Sequence, residues 1–104
     1  MFSFFNVNSI STTELQLKLS TQIEVLDVRE KTEFAAGHIP RAKNIPLSKI
    51  DSYTKKDKEL VYVICQSGMR SRQAVKKLKA KGIEAINVKG GMNAWRGAIR
   101  GGKV

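Results

Sequence analysis

The run Leu60-Val61-Tyr62-Val63-Ile64 constrains the fold more than any other stretch, because it ends abruptly at the chain's only cysteine, Cys65. Charged Lys58 and Glu59 precede it, and the small-polar stretch Gln66-Ser67-Gly68 follows. A short β-branched run bounded in this way reads as a buried strand of a parallel sheet. Residues 72–81 then carry Ala74, Val75 and Leu78 at helical spacing, with Arg72, Lys76 and Lys79 on the wet side. Cys65 is therefore expected at the carboxyl end of a strand, facing a helix N-terminus. That is the edge at which open α/β sheets bind ligands, and unpaired N–H groups and the positive pole of a helix converge there. A free thiol titrates near ~8.5, and such a setting lowers it by roughly one to several units, giving the nucleophilic thiolate at neutral pH. Taken alone, a lone cysteine is more often a small apolar packing residue. The loop after it decides.

Elsewhere the chain alternates short apolar runs with amphipathic segments. Strands are predicted over 4–7, 23–28, 42–45, 60–64 and 84–88. Ser11 and Glu14 form a capping box, with Ile10 and Leu15 as its hydrophobic staple, so a helix starts there. Further helical segments are predicted over 30–36, from a Ser48 cap, over 72–81 and over 92–97. Gly37 and Gly82 are read as helix stops, Gly37 in a left-handed conformation, and Gly90-Gly91 as a turn that lets the chain approach the Cys65 loop closely. Trp95 reads as a core anchor and residues 100–103 as a mobile tail. Five strands alternating with helices give one α/β domain over residues 1–104, with mostly parallel strands and helices on both faces of the sheet.

Nineteen Lys and Arg against nine acids give a net charge of +10. That balance favours anionic partners, such as a small anion, an acidic carrier protein, RNA or a membrane surface, or it serves solubility. The basic residues are spread over several segments without an aromatic stacking surface, and a single Arg-Gly-Gly carries little, so nucleic acid is disfavoured. One cysteine makes neither a disulfide scaffold nor a dithiol redox pair, which fits a reducing, cytoplasmic setting. The apolar opening lacks the charged n-region of a signal peptide, and no stretch approaches the ~20 apolar residues of a membrane span. No ligand pattern calls for a metal or a cofactor, and nothing specifies an oligomeric state.

The loop Cys65-Gln66-Ser67-Gly68-Met69-Arg70 resembles the six-residue active-site loop of rhodanese-like sulfurtransferases, in which the cysteine opens the loop and the loop amides curl around its sulfur. Leu26-Asp27-Val28-Arg29 followed by Glu33-Phe34 and Gly37-His38-Ile39-Pro40 is similar to the family's first signature, and Gly90-Gly91-Met92-Asn93-Ala94-Trp95 to its second. The resemblance implies a five-stranded parallel sheet sandwiched by helices. It also implies a thiosulfate sulfurtransferase-type enzyme that carries sulfane sulfur as a Cys65 persulfide. Its donor would be thiosulfate or a persulfide, its acceptor cyanide, a small thiol or an acceptor protein. Gln66, Ser67, Gly68, Met69, Arg70 and Ser71 are the expected substrate-binding residues.

Arg70 offers a fixed planar fork to an oxyanion, or pins the loop by pairing with a carboxylate; donor binding is the favoured role. Asp27 and Arg29 are expected to support the loop, with Arg29 and Glu33 forming an i, i+4 ion pair. His38, the only histidine, is assigned a structural role in its turn, since an ionised cysteine needs no histidine base. Arg41 stands where the family often carries a small residue and adds positive potential or is simply exposed. The alternatives are a non-catalytic rhodanese-like binding module and, ranked lower, a cysteine-based phosphatase or arsenate reductase. Those enzymes resemble one another in separating cysteine from arginine by five residues, whereas four separate Cys65 from Arg70 and six separate it from Arg72.

Overall fold

Apolar runs too short for helices and amphipathic segments too long for strands alternate along the chain, and the computed structural model, which describes residues 7–102, turns that alternation into a layered sheet. In chain order the elements are β1 (Ser9–Ile10), α1 (Thr12–Lys18), β2 (Glu24–Asp27), α2 (Lys31–Ala36), β3 (Lys43–Asn44), a 3₁₀ segment (Leu47–Ser52), β4 (Val61–Ile64), α3 (Met69–Ala80), β5 (Ala85–Val88) and α4 (Gly91–Ala94). The strands order β1-β5-β4-β2-β3, and each of the four strand-to-strand pairings in that sheet is parallel.

The strand that ends at Cys65 is the middle of the sheet. β4 pairs with β2 on one side and β5 on the other, and all four of its residues are buried. Its alternation feeds two cores. Val61, Val63 and Cys65 pack with Ala74, Val75 and Leu78 of α3, with Ile50 of the 3₁₀ segment and with Tyr53 just after it. Tyr62 and Ile64 pack on the opposite face with Leu15, Phe34, Ile39 and Trp95. Burying each such side chain contributes about 1.5–3 kcal/mol, so the central strand is fixed in register by both layers.

Several predicted boundaries move, each for a local reason. The first strand was expected over 4–7; residues 4–6 lie outside the described residues, Val7 is not in a strand, and the pairing with β5 is made by Ser9 and Ile10. The capping box is present, with Glu14 N–H donating to Ser11 Oγ at 3.0 Å and Ser11 N–H to Glu14 Oε1 at 2.9 Å. Ser48 is not a cap, because Pro46 precedes a 3₁₀ segment that contains it. Gly37 is extended, with φ 163°, rather than left-handed; a Cβ there would meet Ile99 Cδ1 at 3.3 Å, so crowding and not backbone freedom suits glycine. The last helix is the single turn α4, and Trp95 is buried after it. Nor is the tail loose over residues 100–102, Lys103 lying outside the described residues: Arg100 pairs with His38 through N–H···O bonds of 2.8 and 2.9 Å, and Gly102 N–H donates to Ala35 O at 2.7 Å.

The turn at Gly90-Gly91 lets two loops meet. Met92 N–H donates to Cys65 O at 2.8 Å and Asn93 N–H to Gln66 O at 3.0 Å. Gly91 has φ 56°, and a Cβ on it would collide with Cys65 O and lie 2.6 Å from Gln66 O. Gly82 has φ 85° with open space around it. Gly91→Ala is therefore expected to lose about 2–4 kcal/mol in urea unfolding, and Gly82→Ala only about 1 kcal/mol, the left-handed penalty alone. Equal losses in the two variants would mean that the close approach is easily relaxed.

Candidate active site

Helix α3 begins three residues earlier than its periodicity suggests. Gly68, with φ 104°, turns the chain directly from β4 into the helix, so Met69, Arg70 and Ser71 are its first turn. No side chain caps that end. The first amides of a helix have no partner within it, and here they converge on sulfur: Gly68 N–H donates to Cys65 Sγ at 3.0 Å. Cys65 thus takes the place of a capping residue. Burial pushes its thiol up, but the Ser71 hydroxyl and the N–H groups of Ser71, Gly68 and Ser67 outweigh it and hold the thiol below its ordinary value. Cys65 has 0% of its surface exposed, and among the hydrogen bonds of the described residues one amide, Gly68 N–H, reaches its sulfur.

The other expected residues divide into clamps and mouth. Gln66 does not face the sulfur with its side chain: Oε1 accepts from Arg29 Nη1 at 3.0 Å, and Nε2 donates to Asn93 Oδ1 at 2.7 Å. Arg29 is buried and pairs with Asp27, not with Glu33 as its spacing suggested. Nη2 donates to Asp27 Oδ2 at 2.8 Å and Nε to Oδ1 at 3.0 Å, while Nη2 also reaches Gly37 O at 2.7 Å. Rigid strand β2 and the turn after it therefore hold Arg29, and Arg29 holds Gln66.

Glu33 is taken instead by Arg70, which donates from Nη1 and Nη2 to its two oxygens at 2.7 and 2.9 Å. The loop-pinning role assigned second place for Arg70 is thus the contact present, and it is bidentate. Ser67 and Met69 face solvent, Met69 with 70% of its surface. His38 is fully buried, stacked on Phe34 at 3.7 Å between centroids, with Nδ1 2.7 Å from Phe34 O. It stands in the turn and does not contact the cysteine among the hydrogen bonds of the described residues.

Ser71 was expected in this site, but its buried partner Asn87 was not. Ser71 Oγ lies 3.4 Å from Cys65 Sγ, donates within reach of Gly68 O at 3.1 Å, and makes a short contact with Asn87 Oδ1. Asn87 is buried, with 1% exposed, and its Nδ2 points to Ser9 Oγ at 3.4 Å. A signal for it existed. Ala85 belongs to the core shared with α3, so strand alternation aims Asn87 at that same interior, where a polar residue needs a partner. The Ser71 hydroxyl has one hydrogen, which can serve either Asn87 or Gly68, or a thiolate at Cys65.

Comparison with known proteins bears on the fold that carries this site. Residues 11–98 match the family described as Rhodanese-like domain. The chain is 43% identical to YtwF of Bacillus subtilis over 99 residues, covering 90% of this chain and 95% of that protein. It is 37% identical to a protein of Allochromatium vinosum named Sulfurtransferase over 95 residues, covering 86% of this chain and 88% of that one. Among solved structures, a Rhodanese-like domain protein from Staphylococcus aureus superposes with a TM-score of 0.85 at 41% identity, covering 93% of this chain and all of that one.

The Arg70 guanidinium, against burial and with help from the Glu30 N–H, holds Glu33 down from its ordinary 4.5 to about 2. A depressed carboxylate stabilises the fold above its ordinary pKa and ceases to do so as pH falls toward its folded value. The melting-temperature gap between the wild type and Glu33→Gln should be a few degrees at neutral pH, the scale of about 1 kcal/mol after solvent screening, and should close between about pH 4.5 and 2. A gap independent of pH would assign the effect to packing. Separately, Asn87→Asp should keep the Ser71 hydrogen from the sulfur and add a like charge, raising the thiol titration by about one unit or more in the pH profile of iodoacetamide alkylation. An unmoved profile would show that Ser71 and Asn87 do not act on Cys65.

Proposed function

The chain belongs to the rhodanese-like domain family, and from that premise we propose that it is a sulfurtransferase that takes a sulfane sulfur from thiosulfate or a persulfide onto Cys65 and passes it to a thiophilic acceptor. The observation that carries this reading is the uncapped N-terminus of α3 aimed at the sulfur, with Gly68 N–H at 3.0 Å. A binding module has no use for a thiol held below its ordinary pKa by converging donors.

In the first half-reaction the Cys65 thiolate attacks the outer sulfur of thiosulfate. The S–S bond of the donor breaks, sulfite leaves with the electron pair, and Cys65 keeps a persulfide. In the second, a nucleophile such as cyanide or a thiolate attacks the terminal sulfur and the Cys65 thiolate leaves. Two covalent steps through one residue give ping-pong kinetics. The amides of the Gln66 to Ser71 arc stabilise negative charge first on the cysteine sulfur and then on the terminal one, each contributing about 2.7–4 kcal/mol on the scale of oxyanion-hole donors.

Loading needs an opening, since the sulfur has no exposed surface. Gln66 is clamped by Arg29 and Asn93, Gly68 is held by Cys65 Sγ and Ser71 Oγ, and α3 begins at Met69, so the residue freest to lift is exposed Ser67. Arg70 bounds that opening, close enough to Cys65 for the two charges to act on one another, and holds Glu33 with one edge of its fork. Its remaining N–H donors are those available to an oxyanion. A loop with four residues between Cys65 and Arg70 encircles a sulfur atom more tightly than the longer loop of a phosphatase encircles phosphate.

Incubation with thiosulfate should add one sulfur atom to Cys65 by mass spectrometry, and cyanide or a thiol should remove it. Cys65→Ser should show no adduct. Arg70→Ala is expected to raise the donor KM with kcat little changed if the guanidinium binds the donor; unchanged KM with lowered stability would assign Arg70 to holding the loop alone. An unmodified Cys65 after treatment with both thiosulfate and a persulfide would overturn the enzyme reading.

A further inference from the structure

Strand β3 closes one end of the sheet and is paired on one side only, through Leu26 with Lys43 and Asp27 with Asn44. Ile45 N–H bonds back to Asp27 O at 2.9 Å, so by the alternation of a parallel ladder the Asn44 N–H and C=O face away from β2. Along this edge, between β3 and α2, lies a hollow of about 780 Å³ with Phe34, Ala42 and Ile45 in its lining. A second hollow of about 450 Å³ adjoins it and shares Lys43, Asn44 and Ile45. Lys31, Arg41, Lys43 and Lys49 line the two, and no acidic residue does. Lys43 reaches Glu24 at 3.4 Å but keeps 64% of its side chain exposed.

Arg41 adds an independent observation. It is the one non-glycine residue with positive φ, at 73°, among the described residues. Holding an arginine in the left-handed region costs about 1–2 kcal/mol. The side chain is exposed and enters none of the side-chain hydrogen bonds or ion pairs found among the described residues. That φ belongs to the third position of a turn in which Pro40 is second and Ala42 N–H closes onto Ile39 O at 3.1 Å, so the turn accounts for the backbone and leaves the exposed guanidinium available to an anionic partner.

We propose that this edge is a docking groove for an extended acidic segment of a partner protein. The segment adds a short strand beside β3, lays its apolar side chains over Ala42 and Ile45, and sets its carboxylates on Lys31, Arg41, Lys43 and Lys49. Backbone pairing supplies the grip and the charges select the partner. A second copy of this chain is rejected, because its own β3 would bring lysine against lysine. Nucleic acid fits less well, since the Phe34 ring is buried and stacked on His38 and offers no face to a base. The groove also abuts the site: the Asn44 side chain donates to Asp27 O and Arg29 O at 3.0 and 2.9 Å, and α2 carries the Glu33 that holds Arg70. A partner seated there stands beside the Cys65 loop, but the binding itself does not rest on the sulfur chemistry.

The test is a nitrogen-15 NMR titration of the full chain with an acetylated, amidated octapeptide of alternating glutamate and valine. Saturable shifts are expected at Lys43, Asn44, Ile45 and along α2, with the Asn44 amide newly protected from exchange. Arg41→Gly combined with Lys43→Glu should weaken binding by about tenfold or more, as should a rise in salt, while sulfur loading on Cys65 stays unchanged. Arg41→Gly relieves the strained φ, so that single variant should melt no lower than wild type and still bind more weakly. The proposal is overturned by absence of saturable shifts at millimolar peptide, by shifts centred on another surface, or by equal binding of a lysine–valine octapeptide. Tighter binding of an oligouridylate at the same edge would likewise overturn it in favour of nucleic acid.

Discussion

A helix end that has no cap of its own is the constraint from which the rest of this structure follows. The first amides of α3 need an acceptor, and Cys65 Sγ is the atom placed to supply one. That placement depends on β4 lying in the centre of a parallel sheet, so that its carboxyl end and the start of the next helix meet at one point. It also depends on Gly68, whose left-handed φ makes the turn without spending residues on a longer loop. A Cβ at Gly68 would meet Gly90 N at 3.2 Å, which ties the turn to the neighbouring Gly90-Gly91 segment. Sulfur, loop and second turn are one unit.

Two ion pairs hold that unit, and they differ in kind. Asp27 and Arg29 are buried, and removing a buried pair in favour of apolar residues is often no loss to stability. Their contribution here is direction: with Nε and Nη2 on Asp27, Arg29 aims Nη1 at Gln66 and fixes where the loop begins. The Arg70–Glu33 pair is about one-third exposed and fixes where the loop ends. Between those fixed ends lies exposed Ser67, whose side chain enters none of the hydrogen bonds found among the described residues, while Gly68 is held within the arc by Cys65 Sγ and Ser71 Oγ. Rigidity at both ends and freedom in the middle suits a site that must orient donors and still admit a reagent.

The layers and the placement of Cys65 at a strand end facing a helix were legible because each is written in local pattern: the apolar run before Cys65, the Ser11–Glu14 box, the Ala74, Val75 and Leu78 stripe, the paired glycines at 90 and 91. What was not legible is how charges choose partners. Spacing offered Glu33 to Arg29, but Asp27 lies closer to Arg29 along the buried turn, and Arg70, 37 positions further on, reaches Glu33 across the sheet edge. Such choices depend on strand order, which spacing does not carry. The docked tail was missed for the same reason, since nothing near Arg100 announces its pairing with His38. Asn87 is different: its place in the β5 alternation was visible, and only the identity of its partner, Ser71, required the fold.

The donors that favour the thiolate also restrain it. Each N–H that stabilises negative charge on sulfur lowers the pKa, and intrinsic nucleophilicity falls with it, so the most stabilised thiolate is not the fastest. Here burial opposes the donors and keeps the shift from running to its limit. The cover over Cys65 works in the same sense. A persulfide places its charge on a second sulfur about 2.05 Å from the first, in space now closed by the arc. Under the proposed chemistry, loading widens the arc and moves the charge outward, toward exposed Ser67. On the proposed reading, the thiolate is stable because α3 uses it as a cap, and the terminal sulfur is transferable because it sits one bond beyond that cap.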